Sequence, residues 1–351
     1  MSPVQWSRQA ILMIFRLKRG TPMRAIKYDR FGGYDVLTPA DVPVPTPEPG
    51  HALVRVTLAG VTPLDDTVRQ GKLPAAAVKP LPIRPGGQGV GVLVDPGASS
   101  LPVNSRVVLS GGRYGVSADG TWAEYVAVDP QHLVPIPDGV DDTVVAALAT
   151  GAGYLTAYLA LTELAGFQSG QTVLAPGVGG SVGQGGVGVA RVLGAAKAIT
   201  TATSAAKAER GRAEGFEVID LSTESLSDGV RRLTDGKGVD VVLDGVAGPL
   251  TGDALSALAV DGTLISIGYT AGTRSTIDVT DLIWKNAHIH GFRFALFTAE
   301  QINAANAHLL NLLVRKEITP LVDRVFALEQ AAEAQRHLNE GSPFGRVLLA
   351  V

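Results

Sequence analysis

Val173-Leu174-Ala175-Pro176-Gly177-Val178-Gly179-Gly180-Ser181-Val182-Gly183-Gln184-Gly185-Gly186-Val187-Gly188 is the stretch on which the fold turns. It opens on a continuous apolar run, the mark of a strand buried on both faces. Glycines follow at once, and then a helical Ala/Val pattern that stops at Gly194. A buried strand, a glycine turn and a helix together bring backbone N–H groups against a pyrophosphate. Two registers compete for that turn. Gly183–Gly188 matches G-x-G-x-x-G literally but leaves only Val189–Leu193 for a crossover helix. Placing the turn at Gly177–Gly183 starts the helix near Ser181 and gives it 14 residues up to Gly194, which fits a βαβ unit. The earlier register is therefore chosen. Its cost is a helix carrying four glycines, each worth up to about 1 kcal/mol against Ala.

Outward from this turn the chain alternates strand and helix. Strands are expected at Ala198–Ala202, Glu217–Asp220, Asp240–Asp244 and Thr263–Gly268, and helices at Ala205–Ala213, Ser225–Leu233 and Leu250–Leu258. Such alternation means an α/β, doubly wound parallel sheet. Upstream, Met23 to Val134 reads differently. Short alternating runs at Ala52–Leu58, Gly89–Val94, Arg106–Leu109 and Trp122–Val128 sit between Gly- and Pro-rich turns, as in a barrel or partly closed sheet. Downstream come a long helix at Thr298–Arg315, a strand at Asp323–Phe326, a helix at Leu328–Leu338 and a last strand at Arg346–Ala350 that is expected to return to the first domain.

Composition excludes several function classes. There is no cysteine among the 351 residues, so disulfides, thiolate nucleophiles and cysteine-ligated zinc are impossible. Net charge is −3, which gives no basic field for a nucleic acid backbone. No run of 18 apolar residues is present to span a membrane, and a cytoplasmic location is expected. Of the six histidines only His288 and His290 form a pair, with no carboxylate near in sequence, so no metal site is expected.

The end of the second Rossmann-type strand chooses the nucleotide. An NAD site places Asp or Glu there for the ribose hydroxyl. Here Ile199-Thr200-Thr201-Ala202-Thr203-Ser204 carries no acid before Glu209, and Lys207 follows. Hydroxyls with a cation suit a 2′-phosphate, so the expected cofactor is NADPH.

Several motifs in order and spacing now carry a family likeness. Gly60-Val61-Thr62-Pro63-Leu64-Asp65, Pro85-Gly86-Gly87-Gln88-Gly89-Val90-Gly91, Gly120-Thr121-Trp122-Ala123-Glu124-Tyr125-Val126 and Leu155-Thr156-Ala157-Tyr158 join the glycine turn, Asp240–Asp244 and Gly345-Arg346-Val347-Leu348. From Met23 to Val351 the chain resembles the medium-chain dehydrogenase/reductase superfamily, in its zinc-independent quinone oxidoreductase (zeta-crystallin-like) branch. The resemblance implies a GroES-like β-rich catalytic domain at residues 23–146 and 291–351. A Rossmann NADPH-binding domain at 147–290 interrupts it, residues 1–22 stand as an N-terminal extension, and the active site lies in the cleft between domains.

The resemblance also implies roles. Val178, Gly179, Gly180, Ser181 and Val182 hold the pyrophosphate, and Thr203, Ser204 and Lys207 surround the adenosine phosphate. Val246, Ala247, Gly268 and Tyr269 approach the ribose and nicotinamide, and Arg346 lies near the cofactor. Thr62 is the candidate hydrogen-bond donor to the reacting oxygen, and Asp65 orients it. Four positions depart from the family pattern: Thr62 stands for Asn, Thr67 and Leu221 for Tyr, and Gln88 for an acid. The implied function is NADPH-dependent reduction of a quinone, an enone or a related α,β-unsaturated carbonyl. The alternatives are an enoyl-thioester reductase of the same superfamily and a non-catalytic NADPH-binding protein of regulatory or crystallin type. A homodimer is expected through the segment Asp281–Phe292, which leads into an edge strand with Ile289 and Phe292 exposed.

Overall fold

The computed structural model describes residues 20–111 and 113–351. The expected N-terminal extension therefore lies outside the described residues up to position 19. The described residues divide into two compact units, those up to Gly151 with 322–342 and 346–351, and residues 152–321 with 343–345.

The first unit begins with β1 (Pro22–Lys27) paired antiparallel to β2 (Thr38–Pro43). It continues through β3 (Ala52–Gly60), the short helix α1 (Pro63–Arg69), β4 (Gly89–Asp95), β5 (Arg106–Leu109), β6 (Tyr125–Val128), β7 (Leu133–Pro135) and the helix α2 (Asp142–Ala149). The second unit holds α3 (Gly153–Leu159), β8 (Thr172–Leu174), α4 (Ser181–Val192), β9 (Lys197–Ala202), α5 (Ala205–Ala213), β10 (Glu217–Asp220) and α6 (Leu226–Leu233). It is completed by β11 (Val239–Asp244), α7 (Leu250–Ser256), β12 (Leu258–Ser266), α8 (Val279–Lys285), β13 (His288–Gly291) and α9 (Ala299–Val314). The chain then returns to the first unit with β14 (Val322–Ala327), α10 (Ala331–Glu340) and β15 (Arg346–Ala350).

In the first unit the main sheet runs β14-β15-β3-β4-β5-β7, with β6 also pairing β3. Its core gathers Tyr28, Ile83, Leu93, Leu109, Trp122 and Val126. The indole Nε1 of fully buried Trp122 donates to Gly60 O at 3.0 Å. The expected strand from Trp122 joins β3 only from Tyr125, because residues 122–124 bond instead to β1, with Ala123 bridging Ala25.

The second unit's sheet runs β10-β9-β8-β11-β12-β13, parallel throughout. Counted within the unit that order is 3-2-1-4-5-6, the doubly wound dinucleotide-binding arrangement. Leu174, Ile199, Ile219, Val242 and Leu264 pack its interior. The helix starts at Ser181, in the register chosen from the sequence.

The domain limits differ from the expected ones. The first unit extends to Gly151, and residues 291–321 belong to the second unit, not to the catalytic domain. The reason is α9, whose apolar face buries Ala305, Leu309, Leu312 and Leu313 in the second unit. His308 on the same helix lies 5.1 Å, ring to ring, from Tyr158 of α3.

The glycines of α4 have a packing reason. A Cβ at Gly185 would stand 2.6 Å from the Gly153 carbonyl, and one at Gly186 would stand 2.4 Å from Ala175 Cβ. Helix α4 thus lies against α3 and β8 closer than any side chain permits. Gly185→Ala, which gains up to about 1 kcal/mol of helix propensity, is expected to lose about 1–3 kcal/mol net from the forced displacement. Denaturant unfolding of the variant measures the sign, and a gain in stability would refute the packing account.

Candidate functional site

In the second unit β8 ends at a turn aimed at the place where the strand order reverses. Gly177 there has φ +90°, and its N–H donates to Thr201 Oγ1 at 3.1 Å. Gly180 N donates to Gly177 O at 2.8 Å and closes the turn. Val178 is scaffold: its N–H donates to Thr201 O at 2.8 Å, and its carbonyl accepts from Gln184 Nε2 at 3.1 Å. Gly180 caps α4 with no side chain, so the first-turn N–H groups of Ser181 and Val182 stay open to an anion at the positive end of a 12-residue helix. This fits a pyrophosphate, with Ser181 and Val182 as donors and Val178 and Gly180 shaping the turn. Gly179 is held from behind, where Gly345 N donates to its carbonyl at 3.2 Å and Pro343 O leaves no room for a Cβ.

At the end of β9 the hydroxyls are not equivalent. Thr201 is buried and spent on Gly177. Thr203 is exposed, and Ser204 caps α5 with its Oγ accepting from Lys207 N at 3.4 Å. Among the nearby cations Arg210 lies over the Phe344 ring at 4.3 Å, and Arg212 donates to Val218 O at 3.3 Å. The Lys207 ammonium has no carboxylate partner among the described residues. Asp220, at the end of neighbouring β10, accepts from Ser222 N at 3.0 Å and Ser222 Oγ at 2.6 Å, which holds its carboxyl below the ordinary value.

The third part of the site is organised by a residue the sequence reading passed over. Asp244, fully buried at the end of β11, accepts from Val246 N at 3.0 Å, Ala247 N at 2.7 Å and Thr251 Oγ1 at 2.6 Å. These bonds hold Ala247 at φ +56°, a conformation a non-glycine residue adopts only under such constraint. The N–H groups of Val246 and Ala247 therefore point back at Asp244 and not outward. Ala247, Gly268 and Tyr269 line one pocket of about 330 Å³ with Thr251 and Ser266. The signal available in the sequence was an acid closing a buried apolar strand, which has to be satisfied by whatever follows it.

In the first unit Thr62 caps α1 and Pro63 begins it. Asp65 is 6% exposed, and its Oδ2 accepts from Thr62 N at 2.8 Å and Thr62 Oγ1 at 2.7 Å. Burial pushes the Asp65 carboxyl up to about 6, against the opposing bonds from Thr62 and from Gly86 N. Beside it the Tyr28 hydroxyl is buried with no partner among the described residues. Burial, and secondly the Asp65 charge, hold that phenol well above its usual range. The departures from the family pattern find local uses. Thr67 Oγ1 donates to Pro63 O at 3.0 Å, and Gln88 Oε1 accepts from Gly151 N at 2.7 Å. Arg346 donates to Thr150 O at 3.1 Å and lies against Gly151. Its guanidinium is thus placed on the Thr150–Gly151 turn of its own unit. Among the described residues no three His, Asp or Glu side chains converge on a possible metal position.

Residues 48–138 match the alcohol dehydrogenase GroES-like domain, and residues 215–349 match the zinc-binding dehydrogenase family. The synaptic vesicle membrane protein VAT-1 homolog of Rattus norvegicus is 28% identical over 93% of this chain and 84% of its own length. The quinone oxidoreductase of Homo sapiens is 28% identical over 91% of this chain and 95% of its own. A mycobacterial quinone oxidoreductase, in its native structure, superposes with a TM-score of 0.80 at 31% identity, covering 94% of this chain and all of that one. A mycobacterial structure complexed with NADPH gives the same figures. With the 3-2-1-4-5-6 sheet, the glycine turn and the absence of cysteine, these likenesses place the chain in the medium-chain dehydrogenase/reductase superfamily, zinc-independent quinone oxidoreductase branch, as a nicotinamide-dinucleotide-dependent oxidoreductase.

Proposed function

We propose that the protein is an NADPH-dependent reductase of quinones, enones or related α,β-unsaturated carbonyls. The observation that carries this reading is the Thr62–Asp65 pair, a hydroxyl bonded at 2.7 Å to a carboxyl that burial pushes up to about 6. When bound, NADPH supplies the hydride that reduces the electron-poor carbon. The chain supplies the proton. While Asp65 is ionised, the single Thr62 proton is held by the carboxylate. Once Asp65 is protonated it donates to Thr62 Oγ1, and the Thr62 proton is free to pass to the substrate oxygen as charge develops there. Asp65 is left as carboxylate and regains its proton from water.

Steady-state NADPH oxidation against a quinone, an enone and an enoyl thioester tests the assignment. Turnover confined to the thioester would support the enoyl-thioester alternative, and no turnover with any of them the non-catalytic one. The protonated form of Asp65 is the active one, so kcat is expected to fall as pH rises through about 6. Asp65→Asn should remove that limb, and Thr62→Val should lower kcat by a factor on the order of 10². A wild-type limb that persists in Asp65→Asn rules this role out.

NADPH preference rests on the end of β9, where Thr203, Ser204 and Lys207 stand and no acid does. NADPH is expected to bind at least about tenfold tighter than NADH. Lys207→Ala should cost about 1.5–3 kcal/mol of NADPH affinity and little of NADH affinity. Titration of both cofactors decides it, and equal wild-type affinities would end the claim.

A homodimer belongs to the same proposal. Strand β13 is the outer edge of the sheet, and all four of its residues are exposed. Ile283 and Trp284 on the preceding helix are 68% and 79% exposed. Open N–H and C=O groups beside apolar side chains suit pairing of the same edge about a twofold axis. Light scattering should give twice the 36.3 kDa chain mass, reduced to one by Ile289→Lys. A wild-type mass of one chain at micromolar concentration contradicts it.

A further inference from the structure

The first unit carries a groove of about 710 Å³, more than twice the volume of the roughly 330 Å³ pocket at the ends of β11 and β12. It lies between the β1–β2 pair and the segment 79–84, and none of the residues assigned above to cofactor or proton transfer lines it. Its charged lining is Lys27, Lys79 and Arg84 against one carboxylate, Asp119, an excess of two positive charges.

The backbone sets two of these cations on facing segments. Tyr28 and Ile83 form an antiparallel bridge, with both N–H···O bonds at 3.0 Å. In that register Lys27 stands opposite Arg84. Like charges set directly across an antiparallel pair repel, and neighbouring carboxylates normally relieve them. Asp119 pairs with Arg84 and with Lys79, and so compensates only the Arg84 side of this pair. Its Oδ1 accepts from Lys79 Nζ and, at 3.4 Å, from Arg84 N, and its Oδ2 accepts from Arg84 Nη2 at 2.6 Å. Burial pushes the Asp119 carboxyl up, but the two cations outweigh it and hold it below the ordinary value. Donors are left over on both sides. Arg84 Nε is buried with no acceptor, and Lys27 has no carboxylate partner among the described residues.

Thr46 apart, the remaining wall is apolar and poor in donors. Pro43, Pro45, Pro80 and Pro82 have no N–H, and Val42, Val44 and Ile83 add hydrocarbon surface. A bare inorganic anion would use the charge and waste this wall, and a neutral apolar molecule would do the reverse. We propose that the groove is a binding site for a small amphiphilic anion, a carboxylate on an apolar chain, with its head accepting from Lys27 and Arg84 and its body along the proline–valine wall.

Octanoate is the probe, titrated calorimetrically into the full-length protein at low ionic strength, with octanol and inorganic phosphate as controls. One saturable octanoate site is expected, at least tenfold tighter than for either control and weakened by added salt. Lys27→Glu should weaken octanoate at least tenfold and leave NADPH affinity unchanged, which also shows that the variant is folded. Octanol bound as tightly as octanoate overturns the role of the charge, and phosphate bound as tightly overturns the role of the wall. Absence of saturable octanoate binding, or an unaltered affinity in Lys27→Glu, overturns the site itself. None of these results depends on whether the protein reduces quinones or enones.

Discussion

The approach of α4 to β8 and α3 is the constraint from which the second unit is built. Glycines at 185 and 186 bring the helix backbone within reach of the Gly153 carbonyl and the Ala175 methyl. That distance fixes where the helix begins, and so where the N–H groups of Ser181 and Val182 meet the crevice between β8 and β11. A helix standing farther off would keep its dipole but lose its aim. The propensity sacrificed along this helix is therefore part of the anion site and not a defect of the sequence.

Three aspartates show how surroundings divide the work of one residue type. Asp244 is buried at the end of β11 and accepts from three donors, so it serves as a peg for the turn. Asp65 is almost as deeply buried, but the bonds it receives do not offset the loss of water, and its carboxyl is driven toward neutrality. Asp119 sits between Lys79 and Arg84, stays ionised, and still leaves cationic donors unmatched. A saturated carboxylate holds structure, a desolvated one takes up a proton more readily, and a shared one leaves a field for something else.

The departures from the family pattern read differently once their neighbours are seen. Gln88 needs only an acceptor for Gly151 N, and an amide oxygen provides that without a charge. Thr62 keeps a hydroxyl where the family carries an amide, and the hydroxyl is coupled to a titrating group by a 2.7 Å bond. A side chain with one movable proton suits transfer better than an amide, whose protons are not exchanged in a catalytic step.

The order of strands and helices was legible in the residues themselves, because hydrophobic period and glycine placement act locally. The start of α4 at Ser181, the span Glu217–Asp220 and the last strand Arg346–Ala350 all follow from patterns a few residues long. The lack of an acid after β9 was legible for the same reason. What the tertiary structure alone decided involves partners far apart in the chain. The long helix at 299–314 joined the second unit because its apolar stripe found α3, some 150 residues earlier. Asp244 became a peg, Val178 a scaffold and Arg346 a brace on Thr150 through bonds that no spacing announces. Lys27 stands opposite Arg84 only because Tyr28 bridges Ile83. A sequence writes its short-range periodicity openly, whereas pairings across loops depend on the free energy of the whole packed chain.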